Sequence, residues 1–264
     1  MSAIAWRHVG LVAGRRRILD DICLDAGRGE VLGIVGPNGA GKTALLRSAA
    51  GLVRDVTGEV ELGGAASRGL VAAERARLMA YLPQAAEAAW PISVKSAVAL
   101  GRIAHRQRAD AAADAAAVAT ALARTGIADL ARRRLDTLSG GERALALLAR
   151  ALAVEAPVLL LDEPCAALDP RHQIAAMTLF RRLAADGICV CVVLHDLSLA
   201  ARFCDRVAVL DRGRLIASGP PASVLDEALL SGVYGITGLR VATGGGMLLV
   251  PWALAQDAGG ELRR

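Results

Sequence analysis

GPNGAGKT, from Gly36 to Thr43, has the residue types and the spacing of a phosphate-binding loop, GxxxxGK[ST]. Its glycines allow backbone N–H groups to converge on phosphate oxygens, the Lys42 ammonium reaches the β and γ phosphates, and the Thr43 hydroxyl suits Mg²⁺. The flanking stretches GEVLGIV and TALLRSAAGLV predict a strand before the loop and a helix after it. The predicted nucleotide contacts are therefore Gly36, Pro37, Asn38, Gly39, Ala40, Gly41, Lys42 and Thr43.

A second chemical feature is the acidic pair that ends the apolar run VLLLDEP, from Val158 to Pro164. Ligands of open α/β sheets bind outside the carboxyl ends of the strands, so both carboxylates face the predicted site. We expect Asp162 to help hold Mg²⁺ and Glu163 to polarise an attacking water as general base. The alternative is an acidic pair that only caps the next helix.

Two single residues have weaker signals. His195 follows the apolar run ICVCVVL, and the end of a strand suits contact with a γ-phosphate, although a lone histidine there is more often structural. Gln84 follows YLP, and its position alone has no chemical meaning.

The stretch DTLSGGERALALLARAL reads as a glycine turn that leads into a helix, around Ser139, Gly140, Gly141 and Glu142. A helix N-terminus favours anions because its first N–H groups are free and its dipole is positive there. This stretch nevertheless has no lysine to neutralise a phosphate.

The elements that must position these residues follow an α/β pattern. Short strands are predicted at Ile18 to Leu24, Glu30 to Val35 and Gly58 to Leu62. The chain between Pro83 and Pro157 is alanine-rich and helical. VLLLDE and ICVCVVLHD suit buried parallel strands with the amphipathic helix HQIAAMTLFRRLAADG between them, and a hairpin is predicted at Arg212 and Gly213.

Composition narrows the classes of function. The 264 residues suit one large domain or a core with an inserted subdomain. The net charge of +5 comes from scattered arginines with only 3% aromatic residues, which favours a solvated surface and predicts no nucleic-acid partner.

Five cysteines without CxxC spacing predict reduced core residues in a cytosolic protein. No charged leader and no apolar run of roughly 20 residues is present, so any membrane role requires a partner.

In their order along nearly the whole chain, these motifs resemble those of the ATP-binding cassette family of ATPases. GPNGAGKT is similar to the Walker A loop, Gln84 to the Q-loop, LSGGE to the signature motif, VLLLDE to Walker B, AALD (Ala166 to Asp169) to the D-loop, and His195 to the switch histidine. The resemblance implies an α/β P-loop NTPase cassette with a mixed β core, an N-terminal antiparallel β subdomain and an inserted α-helical subdomain. It places the nucleotide-binding core at 1–84 and 158–228, the helical signature subdomain at 85–157 and a C-terminal extension at 229–264.

The resemblance also implies roles. Glu163, His195 and Gln84 would be catalytic, Thr43, Gln84 and Asp162 would hold Mg²⁺, and ATP would be the nucleotide. Two chains would pair head to tail as a homodimer, so that Ser139, Gly140, Gly141 and Glu142 of one chain face the γ-phosphate bound by the other, with Asp169 of the D-loop nearby. A lysine is then unnecessary in the signature, because Lys42 of the partner subunit supplies the cation.

Several positions depart from the family pattern. Ala13 stands where an adenine-stacking aromatic is usual, and the nearest alternatives are Trp6 and the arginines 15–17. The loss of a stack costs about 0.5–1.5 kcal/mol, which predicts a working ATPase with weak base selectivity. Ala44, Glu142 and Cys165 also replace commoner residues.

Softer similarities, in LDPRHQ and in the stretch that begins VLHDLSLAARFC, resemble importers of ferric siderophores, haem and cobalamin. This subgroup implies a separate transmembrane permease dimer, an indirect substrate-binding protein, and a peripheral position at the cytoplasmic face of the cell membrane. Two alternatives stay open: a soluble cassette ATPase of the cofactor or iron–sulfur assembly type, and a degenerate nucleotide-binding scaffold.

Overall fold

The computed structural model describes residues 2–84, 91–108, 110–243 and 246–255. Residue 1 of the predicted core, residues 85–90 and 109 of the predicted helical subdomain, and residues 244–245 and 256–264 of the predicted extension lie outside this part. The strands are β1 (Ser2–Ala13), β2 (Arg16–Gly27), β3 (Val31–Val35), β4 (Val56–Leu62), β5 (Ala65–Ala66), β6 (Met79–Leu82), β7 (Val158–Asp162), β8 (Cys189–Val193), β9 (Arg206–Asp211), β10 (Arg214–Gly219), β11 (Ile236–Thr243) and β12 (Gly246–Leu254). The α-helices are α1 (Lys42–Ala50), α2 (Ala72–Leu78), α3 (Val94–Ala99), α4 (Ala111–Arg124), α5 (Gly140–Leu152), α6 (Pro170–Ala185), α7 (Leu197–Phe203), α8 (Pro221–Val224) and α9 (Glu227–Leu229).

The strands form three sheets. A six-stranded sheet has the order β10-β9-β3-β8-β7-β6, in which all pairs are parallel except β10 with β9. An antiparallel sheet of order β2-β1-β4-β5 forms the N-terminal part, and β11 pairs with β12. The predicted mixed β core with an N-terminal antiparallel subdomain is confirmed.

The central strands are apolar on both faces because both faces are covered. In β3, Val31 and Val35 pack into one hydrophobic cluster with α6 and α7, while Leu32 and Ile34 pack into a second cluster with α1 and the antiparallel sheet. This double burial explains why these strands read as continuous apolar runs instead of alternating ones.

The helices α3, α4 and α5 form a cluster with a small core of its own, to which Val98, Val118 and Ala149 contribute. The alanine-rich stretch folds as α4, which Asp110 caps by accepting from the backbone N–H groups of Ala112 and Ala113. Helix α5 links this cluster to the main core, since its Leu147 and Leu148 pack with the residues beneath the six-stranded sheet. The division of the chain into the three predicted segments stays a prediction.

The prediction for the cysteines was partly wrong. All five are free thiols and four are buried, but Cys23 is exposed, because it lies on the outward face of β2. No helix within the described ranges has the length and apolar character needed to cross a membrane.

Candidate nucleotide-binding site

The predicted phosphate-binding loop leaves the end of β3 and leads into α1. Gly36 has φ of 151°, and a Cβ there would lie 2.1 Å from the carbonyl oxygen of Leu210. A side chain at this position would therefore collide with the backbone of β9. Gly41, with φ of 103°, precedes the helix that the loop enters. The glycine spacing of the motif is thus a requirement of the local backbone.

Lys42 is the cation of the loop, and only 6% of its surface is exposed. Its ammonium donates to the carbonyl oxygens of Gly36 at 2.7 Å and Pro37 at 3.0 Å. Burial lowers the pKa of Lys42, whereas the nearby carboxylates of Glu163 and Asp162 raise it. The loop thus holds the lysine over its own backbone, beside two acidic groups.

Asp162 ends β7, and its carboxylate is fully buried. Thr43 Oγ1 donates to Oδ1 at 3.0 Å, and the Tyr81 hydroxyl donates to Oδ2 at 3.2 Å. Burial raises the pKa of Asp162, and these two hydrogen bonds oppose the rise. Sequence reasoning missed Tyr81, which lies beside this strand because Tyr81 on β6 is in register with Leu160 on β7.

The Glu163 carboxylate lies between His195 and Gln84, the two residues whose roles were only weakly indicated by the sequence. His195 Nε2 lies 2.5 Å from Glu163 Oε1, and Gln84 Nε2 donates to Oε2 at 2.6 Å. Glu163 also has a left-handed backbone, with φ of 53°, which turns the chain at the strand end. The two contacts fix the orientation of the carboxylate, and each oxygen retains a second lone pair for a water.

Most of the predicted site residues line one cavity of about 760 Å³, whereas the buried Asp162 does not reach it. Its lining includes the loop residues Asn38, Gly39, Ala40, Gly41, Lys42 and Thr43 together with Gln84, Glu163 and His195. The structure therefore brings together loop and strand-end residues that lie far apart in the sequence.

The lining of this cavity shows which of the alternatives to Ala13 could contact the nucleotide base. Trp6 is excluded as a stacking group, because it is fully buried and its ring N–H donates to the Leu45 carbonyl oxygen at 3.2 Å. Arg16 lines the cavity, and a Cβ built on Gly39 would lie 4.0 Å from Arg16 Nη2. Of the alternatives to Ala13, an arginine is thus the one beside the loop.

The signature residues lie elsewhere. Ser139 caps α5 by accepting from the Glu142 N–H at 3.2 Å, and Glu142 accepts from the Ser139 N–H at 2.8 Å. Glu142 therefore completes the capping box that a glutamine would also form. Asp169 caps α6 by accepting from the His172 N–H at 2.9 Å. Among the described residues that line the cavity, none comes from 139–142 or 169.

A glycine loop between a parallel strand and a helix, with a buried lysine and an acidic strand end, defines a P-loop nucleotide-binding protein of the α/β class. The family model described as "ABC transporter" matches residues 19–166. This chain belongs to the ABC transporter family and is an ATP-binding ATPase of that family.

Curated relatives of the chain are named as import proteins. The hemin import ATP-binding protein of Streptomyces coelicolor is 49% identical over 84% of this chain and 79% of its own length. The hemin import ATP-binding protein of Nocardia farcinica is 44% identical over 88% and 83%. The cobalamin import ATP-binding protein of Halobacterium salinarum is 44% identical over 86% of this chain and 57% of its own length.

Solved structures agree on the fold. A nucleotide-free ATP-binding cassette from an ABC transporter superposes with a TM-score of 0.80, at 21% identity over 89% of this chain and 99% of that one. The cbiO1 protein of Clostridium perfringens, part of an ABC transporter complex, has a TM-score of 0.74 at 26% identity over 85% and 90%.

Proposed function

We propose that this chain is the ATP-hydrolysing subunit of an importer for an iron chelate, either a ferric siderophore or haem, or for cobalamin. It would act as a homodimer on the cytoplasmic face of the cell membrane, peripherally bound to a separate permease dimer that receives cargo from a substrate-binding protein. The names of the relatives, hemin import and cobalamin import ATP-binding proteins, support this cargo class.

The observation that supports hydrolysis best is the position of Glu163. Its carboxylate lies between Gln84 and His195, at the rim of the cavity that the phosphate-binding loop lines. A carboxylate held there accepts a proton from a water that attacks the terminal phosphate, while His195 donates to a phosphate oxygen. A scaffold that only binds nucleotide would not need this fixed acidic group.

The oxygen groups beside the loop fit Mg²⁺. The buried Asp162 carboxylate and the Thr43 hydroxyl lie 3.0 Å apart, and hard cations prefer such oxygen ligands. We expect Thr43, Asp162, through water, and the Gln84 side-chain oxygen to hold the ion. Bound there, Mg²⁺ would neutralise charge on the β and γ phosphates.

The separation of the signature from the cavity supports a composite site. Ser139 and Gly140 are exposed at the start of α5, where the Ser139 hydroxyl and the amides of Gly140 and Gly141 can face a second molecule. In a two-fold pair, each signature would close the cavity of the other chain, with Asp169 at the contact. ATP then joins the subunits, and its hydrolysis releases them.

Mass spectrometry of proteins that co-purify with the tagged chain from detergent-solubilised membranes tests the transport role. We expect a permease with many membrane spans, and the ligand of a binding protein encoded beside it would identify the cargo. A set of exclusively soluble partners would contradict transport and favour a cofactor or iron–sulfur assembly ATPase.

A further inference from the structure

Three side chains on the outward face of the N-terminal antiparallel sheet form a cluster that the nucleotide chemistry does not use. They are His8 on β1 and Asp21 and Cys23 on β2, and all three are exposed. One ligand atom from each residue lies within 4.8 Å of the other two. We propose that this cluster binds one divalent transition-metal ion of the Zn²⁺ type.

The fold builds the cluster from two irregularities in strand pairing. Trp6 pairs with Leu24 and Val9 with Ile22, so β1 has one extra residue, and both Arg7 and His8 face outward. Leu11 pairs with Leu19, so β2 has an extra residue between Leu19 and Ile22. The two offset bulges place His8 and Asp21 on the face that Cys23 already occupies through the ordinary alternation of β2.

Both bulges hold an unusual backbone. His8 has φ of 53° and Asp21 has φ of 55°, a left-handed region that is unfavourable for residues other than glycine. On the next strand Gly58 makes room for the bulge, because a Cβ there would lie 2.1 Å from the His8 carbonyl oxygen. The backbones of β1, β2 and β4 therefore all depart from regular strand geometry around the cluster.

The distances suit a tetrahedral ion. Zn²⁺ binds histidine nitrogen, cysteine sulfur and carboxylate oxygen at about 2.0–2.3 Å, so neighbouring ligand atoms lie about 3.3–3.6 Å apart. His8 Nδ1 lies 2.8 Å from Asp21 Oδ1, and the ligand atoms of His8, Asp21 and Cys23 all lie within 4.8 Å of one another. The required spacings lie between the observed 2.8 Å and the 4.8 Å limit, so side-chain rotation can bring all three atoms onto one ion.

Charge and ligand type select the metal class. A thiolate, a carboxylate and a neutral imidazole carry two negative charges, which a dication neutralises. On binding, the ion would replace the proton between His8 Nδ1 and Asp21 Oδ1, the Cys23 thiol would release its proton to solvent, and a water would complete the coordination. Nitrogen and sulfur ligands favour Zn²⁺ or Co²⁺ over Mg²⁺ and Ca²⁺, which prefer oxygen.

The rest of the chain provides clean controls. Cys23 is the exposed cysteine, and Cys165, Cys189, Cys191 and Cys204 are buried. His172 and Asp169 form a similar exposed pair, with His172 Nδ1 2.9 Å from Asp169 Oδ2, but they belong to no three-ligand cluster among the described residues. His172→Ala is therefore a matched control for His8→Ala.

The test is a titration of the untagged, reduced full chain with Co²⁺, without nucleotide or phosphate. We expect a thiolate-to-cobalt absorption band in the near ultraviolet that saturates at one equivalent and disappears when Zn²⁺ is added. Cys23→Ser should abolish the band, and His8→Ala should weaken binding by about tenfold or more. His172→Ala should leave the titration unchanged.

A second readout is the rate at which a thiol reagent modifies Cys23. Zn²⁺ should slow this reaction in the unmodified sequence but not in His8→Ala. No band at millimolar Co²⁺, or a band that persists in Cys23→Ser, would overturn the metal site. Magnesium-dependent ATP hydrolysis by Cys23→Ser and His8→Ala verifies that these two variants fold, and this readout is independent of the proposed import role.

Discussion

At the scale of single residues, Glu163 carries the proposal of hydrolysis. Glu163→Gln keeps the size and the hydrogen bonding of the side chain but removes the base. We expect the rate of ATP hydrolysis to fall by about 10²-fold or more, with ATP binding retained. Phosphate release and nucleotide-binding assays measure the two effects separately. Glu227→Gln, at an exposed helix start, is the control, and hydrolysis that survives in Glu163→Gln would exclude Glu163 as the base.

The raised pKa of Asp162 predicts that the stability of the fold depends on pH. Because burial raises its pKa above the ordinary 3.8, its contribution to stability is complete below that value and is lost as the pH rises through the raised folded-state value. At pH 7 without Mg²⁺, Asp162→Asn should therefore raise the melting temperature, and the gain should shrink as the pH falls towards 4. Thermal unfolding across this pH range measures it, and a variant that melts lower at pH 7 would contradict the argument.

The position of Arg16 in the cavity leads to a prediction about how the chain binds the nucleotide base. A guanidinium over an exposed aromatic ring contributes about 0.5–1 kcal/mol, so Arg16→Ala should raise the KM for ATP about two- to fivefold. Arg15, the neighbouring turn residue that does not line the cavity, provides the matched control Arg15→Ala. An arginine that stacks on any base should leave GTP within about tenfold of ATP. Exclusion of GTP by more than that would contradict the weak selectivity.

At the scale of elements, two substitutions of the α5 cap residue Ser139 distinguish its role in stability from its proposed role in ATP hydrolysis. Ser139→Ala removes the side-chain acceptor for the Glu142 N–H and should cost about 1 kcal/mol of stability. Ser139→Asp keeps a good cap but, in the proposed composite site, adds a negative charge towards the phosphates bound by the other subunit. We expect Ser139→Asp to keep its stability and to lose ATP hydrolysis. Unfolding curves and hydrolysis rates distinguish the two, and a fully active Ser139→Asp would exclude a signature that faces phosphate.

The elements also show what sequence can and cannot predict. The strand, loop and helix around GPNGAGKT followed from periodicity and glycine spacing, and so did the strands that end at Asp162 and Val193. Tyr81 was not predictable, because its contact with Asp162 depends on the register of β6 against β7. The surface position of Cys23 was not predicted either. The stretch around it is apolar, but β2 buries only alternate residues, and Cys23 points to the exposed face.

The cluster of His8, Asp21 and Cys23 shows the same limit more clearly. Residues 13 and 15 positions apart meet because bulges shift the pairing of β1 with β2, and pairing shifts leave no simple periodic signal. Local patterns therefore predict which element a residue lies on, and long-range register decides what it contacts.

At the scale of the whole molecule, the proposed composite site draws on two separate regions of each chain. The cavity holds the phosphate loop, Gln84, Glu163 and His195, whereas the capped signature helix presents Ser139 at the surface. A chain that worked alone would leave the signature without a ligand. We therefore expect ATP to join two copies of the chain head to tail.

The most direct test is the molar mass of Glu163→Gln measured by light scattering after gel filtration, with Mg²⁺ and ATP. We expect a dimer of the 27.2 kDa chain with ATP and a monomer with ADP. Adding Ser139→Asp to the same chain should keep it monomeric with ATP. A Glu163→Gln chain that stays monomeric with ATP, or a dimer that Ser139→Asp does not disturb, would contradict the composite site.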